Sequence, residues 1–206
     1  MTGMREFDAT TAAWDKMNGL IPAIVQDAFS LRVLMLGYMT REALEVTLST
    51  GMVTFFSRSK QRLWQKGESS GHILTLKDIK LDCDGDAFLI KAEPKGPTCH
   101  TGTVTCWGNE DAADMTTLAD LSRTIHARRH ADPESSYTAK LFTRGLTRIA
   151  QKVGEEGVET ALAGATRADN LLEESADLLY HLIVLLEASD KSLLDVFAVL
   201  RGREKK

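Results

Sequence analysis

Apolar and polar positions alternate along the first half of the chain, then change period. Residues 21–29 and 32–39 are apolar with partial alternation, which predicts two strands meeting near Ser30 and Leu31. The first twenty residues read as an irregular lead-in. Thr40-Arg41-Glu42-Ala43 opens a helix with Thr40 as N-cap; Ala43, Leu44, Thr47 and Leu48 give its apolar spacing, and Gly51 ends it. Residues 52–57 read as another strand. Two further β-like runs, 72–80 and 87–92, flank Leu81-Asp82-Cys83-Asp84-Gly85-Asp86. At Gly108-Asn109-Glu110-Asp111 the alternation stops. A helix is predicted over about 115–130, with Leu118, Leu121, Ser122 and Ile125 on one face and Pro133 beyond it. A long helix over 136–165 follows, striped by Leu141, Leu146, Ile149, Val153, Leu162 and Ala163. A third helix runs from Asp169 to Ala188, and a fourth starts at Ser192. The pattern predicts an α+β protein of two domains, a mainly β domain at 1–111 and an all-α helical bundle at 112–206.

Composition narrows the class. The chain has 206 residues and a net charge of -4, so no global field favours nucleic acid. No apolar run is long enough to span a membrane. The start, Met1-Thr2-Gly3-Met4-Arg5-Glu6-Phe7-Asp8, lacks the apolar core of a signal peptide, which points to a soluble, cytoplasmic protein.

The stretch around Cys83 carries the densest chemistry. Side chains alternate faces along a strand, so if the stretch is extended, Asp82, Asp84 and Asp86 share one face and Cys83 takes the other. Three carboxylates suit Mg²⁺ and a thiolate suits Zn²⁺. Asp-Gly-Asp is also ordinary turn composition. A calcium loop is excluded, because its sixth position needs Gly and Ala87 stands there.

The 3 cysteines, Cys83, Cys99 and Cys106, lie close together in sequence, an odd count that argues against a disulfide framework. Three thiolates and a water would make an open, catalytic-type zinc site; the competing reading is ordinary free cysteines. His100, directly after Cys99, is placed to shuttle a proton beside a metal-bound water. Upstream, Arg58, Lys60, Arg62 and Lys66 share a loop-like segment with glycines and Trp64. Such a segment can hold phosphate and stack a base, or it can be a solvated basic loop.

The helical half has its own cluster. Lys152, Glu155, Glu156 and Glu159 lie at i, i+3, i+4 and i+7, and Glu173 or Glu174, Asp177 and His181 repeat the arrangement on the next helix. Two such faces repel unless a cation lies between them, and helical bundles build carboxylate metal sites in this way. The alternative is two solvated faces neutralised by Arg148, Lys152 and Arg167.

Together these motifs resemble a known family, the bifunctional histidine-biosynthesis proteins that join a phosphoribosyl-AMP cyclohydrolase to a phosphoribosyl-ATP pyrophosphohydrolase. The N-terminal half carries Leu34-Met35-Leu36-Gly37-Tyr38-Met39, Thr54-Phe55-Phe56-Ser57-Arg58-Ser59, Leu63-Trp64-Gln65-Lys66-Gly67-Glu68, Asp82-Cys83-Asp84 and Gly96-Pro97-Thr98-Cys99-His100. The C-terminal half carries Ser135-Ser136-Tyr137-Thr138-Ala139-Lys140-Leu141, Lys152-Val153-Gly154-Glu155-Glu156-Gly157-Val158-Glu159 and Asp177-Leu178-Leu179-Tyr180-His181. Thr40 and His72 stand where the family often has Asn. The resemblance implies Mg²⁺ on Asp82, Asp84 and Asp86, and Zn²⁺ on Cys83, Cys99 and Cys106. It further implies a homodimer with zinc ligands from both subunits, and His100 relaying the proton. Arg58, Lys60, Arg62, Trp64 and Lys66 would hold the substrate of ring opening. In the helical half it implies Mg²⁺ on Glu155, Glu156, Glu159, Glu174 and Asp177, a general base among these glutamates, Glu156 and Glu159 foremost, and phosphate contacts from Lys140 and Lys152. A general nucleotide pyrophosphohydrolase fused to a zinc-stabilised binding module is the competing reading.

Overall fold

The computed structural model describes residues 9–108 and 115–203. The chain divides into two compact units at Thr116/Thr117. The sequence boundary at 108–111 and the N-terminal eight residues lie mostly outside the described residues.

The first unit is built on a four-stranded sheet ordered β2-β1-β6-β5, from β1 (Ile21–Asp27), β2 (Val33–Met39), β5 (Leu74–Leu81) and β6 (Phe88–Pro94). Sequential neighbours pair antiparallel, while β1 and β6 run parallel, with Ile24 opposite Leu89. In β1, Ile21, Ala23 and Val25 face inward and their neighbours do not, which is the alternation read from sequence. The β1–β2 turn at Leu31 is held by Asp27, whose carboxylate accepts from the N–H groups of Phe29 and Ser30. Helix α1 (Arg41–Thr50) begins as expected: the Thr40 hydroxyl accepts from Ala43 N–H, and Gly51 closes it with φ 72°.

A separate two-stranded sheet pairs β3 (Thr54–Ser57) with β4 (Arg62–Gln65). The basic segment expected to be all loop therefore contains a strand, because Leu63 and Trp64 gain cross-strand partners in Phe56 and Phe55. The lead-in is irregular over its described residues, as expected. It makes one 3₁₀ turn, Ala9–Thr11, and it sends Ala12 and Trp14 into the core, where Trp14 packs on Phe88.

Among the described residues of the second unit every element is a helix: α2 (Thr116–Arg128), α3 (Tyr137–Arg144), α4 (Leu146–Thr166), α5 (Leu171–Ala188) and α6 (Leu193–Arg203). The core joins Ile125, Leu141, Ile149, Ile183 and Val184, with Leu118 and Leu121 packed against it. The long helix expected over 136–165 is two helices. Gly145 sits at φ 81° and ψ 171°, a conformation essentially restricted to glycine, and it separates α3 from α4. Within α4 the buried face carries Ile149, Glu156 and Ala163, while Leu146 and Leu162, expected on the apolar stripe, are exposed. No described helix is long and apolar enough to cross a membrane.

Candidate functional sites

The acid-rich segment after β5 is a turn, not a strand. β5 ends at Leu81, Gly85 takes φ 78°, and Asp82 caps the turn by accepting from the N–H groups of Asp86 (3.0 Å) and Ala87 (3.3 Å). The alternation argument for this stretch is thereby corrected. The carboxylates nevertheless converge: ligand oxygens of Asp82, Asp84 and Asp86 lie within 4.8 Å of one another. Lys16 sits against them, its ammonium 2.5 Å from both Asp84 and Asp86. Hydrogen bonding to Asp84, then Asp86, raises the Lys16 pKa. The sequence reading missed Lys16, which lies far from its partners along the chain.

Cys99 and Cys106 lie on a loop closed by backbone bonds from Thr98 to Val104 and from Cys99 to Thr103. Cys106 is tied to β2 through its N–H to Leu34 (2.9 Å). The Thr101 hydroxyl donates to the Cys99 sulfur at 3.1 Å. That bond first, then the Thr101 backbone and the Thr103 hydroxyl, lower the Cys99 pKa to about 6. Cys99 is thus prepared as a thiolate near neutral pH, the form that ligates metal. Cys106 is exposed as a residue, but partial desolvation of its thiol and the neighbouring Cys99 sulfur raise its pKa. The His100 ring nitrogen Nδ1 lies 3.8 Å from the Cys99 sulfur. Cys83 is exposed on the acidic turn. Among the described residues the three sulfurs of one chain do not gather into a set of ligands within 4.8 Å.

The basic residues nearby have separate fates. Lys66 is 7% exposed, its ammonium donates to His72 O at 3.4 Å, and desolvation lowers its pKa while Cys106 and Cys99 oppose that shift. Gly67, at φ 87°, brings its backbone against His72, where a Cβ would lie 2.5 Å from the carbonyl. Arg58 lies 3.9 Å over the Tyr38 ring. Lys60 is exposed in the β3–β4 turn. Arg62 forms a two-pronged ion pair with Glu68, so its charge is already answered within the chain. Trp64 packs on Phe55 with ring centroids 5.8 Å apart.

In the second unit, α4 and α5 bring Glu156, Glu159 and Glu174 together, with ligand oxygens within 4.8 Å of one another. The Thr160 hydroxyl, donating to Glu174 O at 3.0 Å, fixes the register of the two helices there. Glu156 is 4% exposed. Its carboxylate meets the Lys152 ammonium at 2.5 Å, which holds its pKa below the usual range. The negative charge of Glu156, then desolvation and Glu174, push Glu159 up. Neighbouring carboxylates whose affinities for protons are driven apart form a group that a divalent cation would relieve. Glu155, also proposed from sequence, is instead engaged by Arg148 (2.9 Å) and Lys152 (3.0 Å). Asp177 is exposed one turn beyond Glu174 and is not part of the three-carboxylate group. Lys140, on α3, has a loose pairing with Glu134 at 3.9 Å. His181, read as part of the repeat, is buried, with its Nδ1 3.8 Å from Glu156.

Comparison with known proteins follows the division into two units. The family model described as phosphoribosyl-AMP cyclohydrolase matches residues 35–108, and that described as phosphoribosyl-ATP pyrophosphohydrolase matches residues 118–204. The chain is 59% identical over 196 residues to the histidine biosynthesis bifunctional protein HisIE of Vibrio cholerae, covering 93% of each chain. It is 56% identical over 200 residues to that of Shewanella oneidensis, covering 97% of this chain and 94% of the relative. It is 58% identical over 193 residues to that of Xanthomonas campestris, covering 93% and 92%. Two units, each with its own ligand cluster and each matched by a different family model, place the chain in the family of bifunctional histidine-biosynthesis proteins that pair a phosphoribosyl-AMP cyclohydrolase with a phosphoribosyl-ATP pyrophosphohydrolase.

Proposed function

We propose that this chain performs two consecutive hydrolytic steps of histidine biosynthesis. The C-terminal unit cleaves phosphoribosyl-ATP to phosphoribosyl-AMP and pyrophosphate, and the N-terminal unit opens the adenine ring of phosphoribosyl-AMP. The observation that carries this is the match of each unit to a different family model along one chain. The same match opposes the binding-module alternative, since the first unit has an enzymatic family of its own. The domain boundary falls in the segment between the two matched regions, at 111/112 by the change of sequence pattern and a few residues later, at Thr116/Thr117, by compactness, and the C-terminal domain is an all-α bundle.

The residues fit metal ions. In the helical unit, Glu156, Glu159 and Glu174 supply hard oxygen donors for Mg²⁺, and Glu155 and Asp177, on the same two helices, would join them on releasing their present surroundings. Mg²⁺, when bound, supplies neutralisation of the triphosphate. Lys140 and Lys152 are the phosphate contacts. Glu159, its proton affinity raised by Glu156, is the better base for water, while Glu156 is occupied by Lys152.

In the first unit, Asp82, Asp84 and Asp86 suit Mg²⁺, and Cys99 and Cys106 with Cys83 suit Zn²⁺. Zinc, when bound, supplies water acidified to a pKa near about 7 for attack on the ring. His100, exposed beside Cys99, relays the proton to the ring nitrogen. Lys66, Arg58 and Lys60 hold phosphate and ribose, with Arg62 and Trp64 shaping the wall. Because the sulfurs of one chain do not converge, Cys83 reaches the zinc of a second subunit in a cytoplasmic homodimer.

Two experiments test this. Phosphoribosyl-ATP given to the protein with Mg²⁺ and Zn²⁺ yields pyrophosphate and the ring-opened ribonucleotide; if phosphoribosyl-AMP accumulates instead, the ring-opening assignment fails. Cys83→Ala and Cys106→Ala chains, each inactive in ring opening, are then unfolded and refolded together. A zinc site shared between subunits restores about one quarter of the wild-type activity, because half the dimers are mixed and each keeps one intact site. No recovery, with mixed dimers present, refutes the shared site.

A further inference from the structure

Tyr137 is 54% exposed, although it opens a helix whose next residues, Thr138, Ala139 and Leu141, are all buried. It is also held on several sides. One ring face stacks on Tyr180, with centroids 6.3 Å apart and planes 28° apart. Tyr180 is itself fixed through its hydroxyl to Thr138 at 2.8 Å. The Tyr137 hydroxyl meets Nε2 of His181 at 3.3 Å. His181 is 4% exposed, and its Nδ1 lies 2.9 Å from the carbonyl of Asp177. A carbonyl only accepts, so Nδ1 carries the hydrogen and Nε2 receives the tyrosine O–H. The same imidazole lies 3.8 Å from Glu156, so one buried ring connects Tyr137 to the carboxylate cluster.

We propose that Tyr137 contacts substrate in the pyrophosphohydrolase site: its outward ring face stacks on the purine of phosphoribosyl-ATP, and His181 is the positioning residue that holds the ring there. The inference rests on the phosphoribosyl-ATP reading of the helical unit. The carboxylates and Lys140 answer the phosphates, and Lys140 lies at i+3 from Tyr137 on the same helix face. Besides two ribose groups, what remains of the substrate to be recognised is an aromatic base. Tyr137 offers it a rigid aromatic surface with only two torsions to fix, both restrained by Tyr180 and His181. Base–aromatic stacking depends on the ring and tolerates loss of the hydroxyl.

The test measures pyrophosphate release by the full-length protein with phosphoribosyl-ATP and saturating Mg²⁺. Tyr137→Leu, which keeps apolar bulk without a π-face, raises KM roughly tenfold and leaves kcat within about threefold. Tyr137→Phe, which keeps the ring, raises KM by about two- to threefold. His181→Ala raises KM in the wild-type background and adds nothing in the Tyr137→Leu background, the signature of a residue acting through another. A Tyr137→Leu protein with wild-type KM, or with kcat lost at unchanged KM, overturns the proposal. A change in subunit association by size-exclusion chromatography without a KM change also overturns it and makes Tyr137 an interface residue. If the wild-type protein releases no pyrophosphate, the pyrophosphohydrolase reading fails first and takes the Tyr137 proposal with it.

Discussion

Two triads of carboxylates in this chain are each gathered to within 4.8 Å, by different means. Asp82, Asp84 and Asp86 are gathered by a tight turn, largely exposed, and answered by Lys16, a residue brought in from the N-terminal lead-in. Glu156, Glu159 and Glu174 are gathered by the register of α4 against α5, with Glu156 buried and answered by Lys152 from one turn earlier on its own helix. In the turn, solvent screens the repulsion and little stability is at stake. In the helix pair, burial leaves the repulsion standing, and it shows as the opposed proton affinities of Glu156 and Glu159. The helical cluster is therefore the one in which a bound cation would couple most strongly to folding.

The largest expected effect separates the two units outright. Glu156→Gln lowers pyrophosphate release by at least about 100-fold and leaves ring opening of added phosphoribosyl-AMP within about twofold of wild type. Cys106→Ala does the reverse. Each is read by product chromatography on the two substrates separately, and one change that removes both activities in a folded protein would end the two-site account.

A smaller effect tests the coupling to folding. The folded-state pKa of Glu159 is raised, so its contribution to stability is fully present below the unfolded carboxylate pKa and is lost as pH rises through the raised value. In metal-free buffer at pH 7, Glu159→Gln should therefore raise the melting temperature of the helical unit by roughly 2 °C, and the gap should close below about pH 4. Adding Mg²⁺ should stabilise the wild type more than the variant. A Mg²⁺ shift equal in both would disconnect Glu159 from the cation.

The smallest effect lies at the turn. Lys16→Met removes a cation that competes for Asp84 and Asp86, so Mn²⁺ titrated into the first unit should bind about threefold more tightly, with a melting shift under about 2 °C. Weaker Mn²⁺ binding would mean that Lys16 organises the turn for the metal.

What could be read beforehand was whatever is written locally. The alternation of Ile21, Ala23 and Val25, the Thr40 cap and Gly51 stop, and the i, i+3 spacing of Glu156 and Glu159 are contained within a turn or two of chain. The misses came from distant partners or from single backbone angles. Asp82 to Asp86 were legible as a cluster and Asp-Gly-Asp as turn composition, but nothing local decided between a turn and an extended stretch, because the alternation of the flanking strands runs straight into them. Lys16 and Trp14 carry no periodic signal, and their partners are distant in sequence. The parallel pairing of β1 with β6 has no short-range signature. Spacing alone left Glu173 and Glu174 open; the family resemblance named Glu174, and the rotation of α5 against α4 brings that residue to the cluster. Tyr137 and His181 were visible inside family motifs, but their union through one imidazole is a tertiary fact.

Gly145 has a genetic consequence. Its φ 81° and ψ 171° strain any other residue type although the space around it is open, and it fixes where α3, with Tyr137 and Lys140, ends and α4 begins. A missense change in this one codon would disturb substrate recognition while every ligand and contact side chain stayed intact. Such an allele would look like a lesion of the active site, and complementation scored with Gly145→Ala would show it as a growth defect relieved by raised expression.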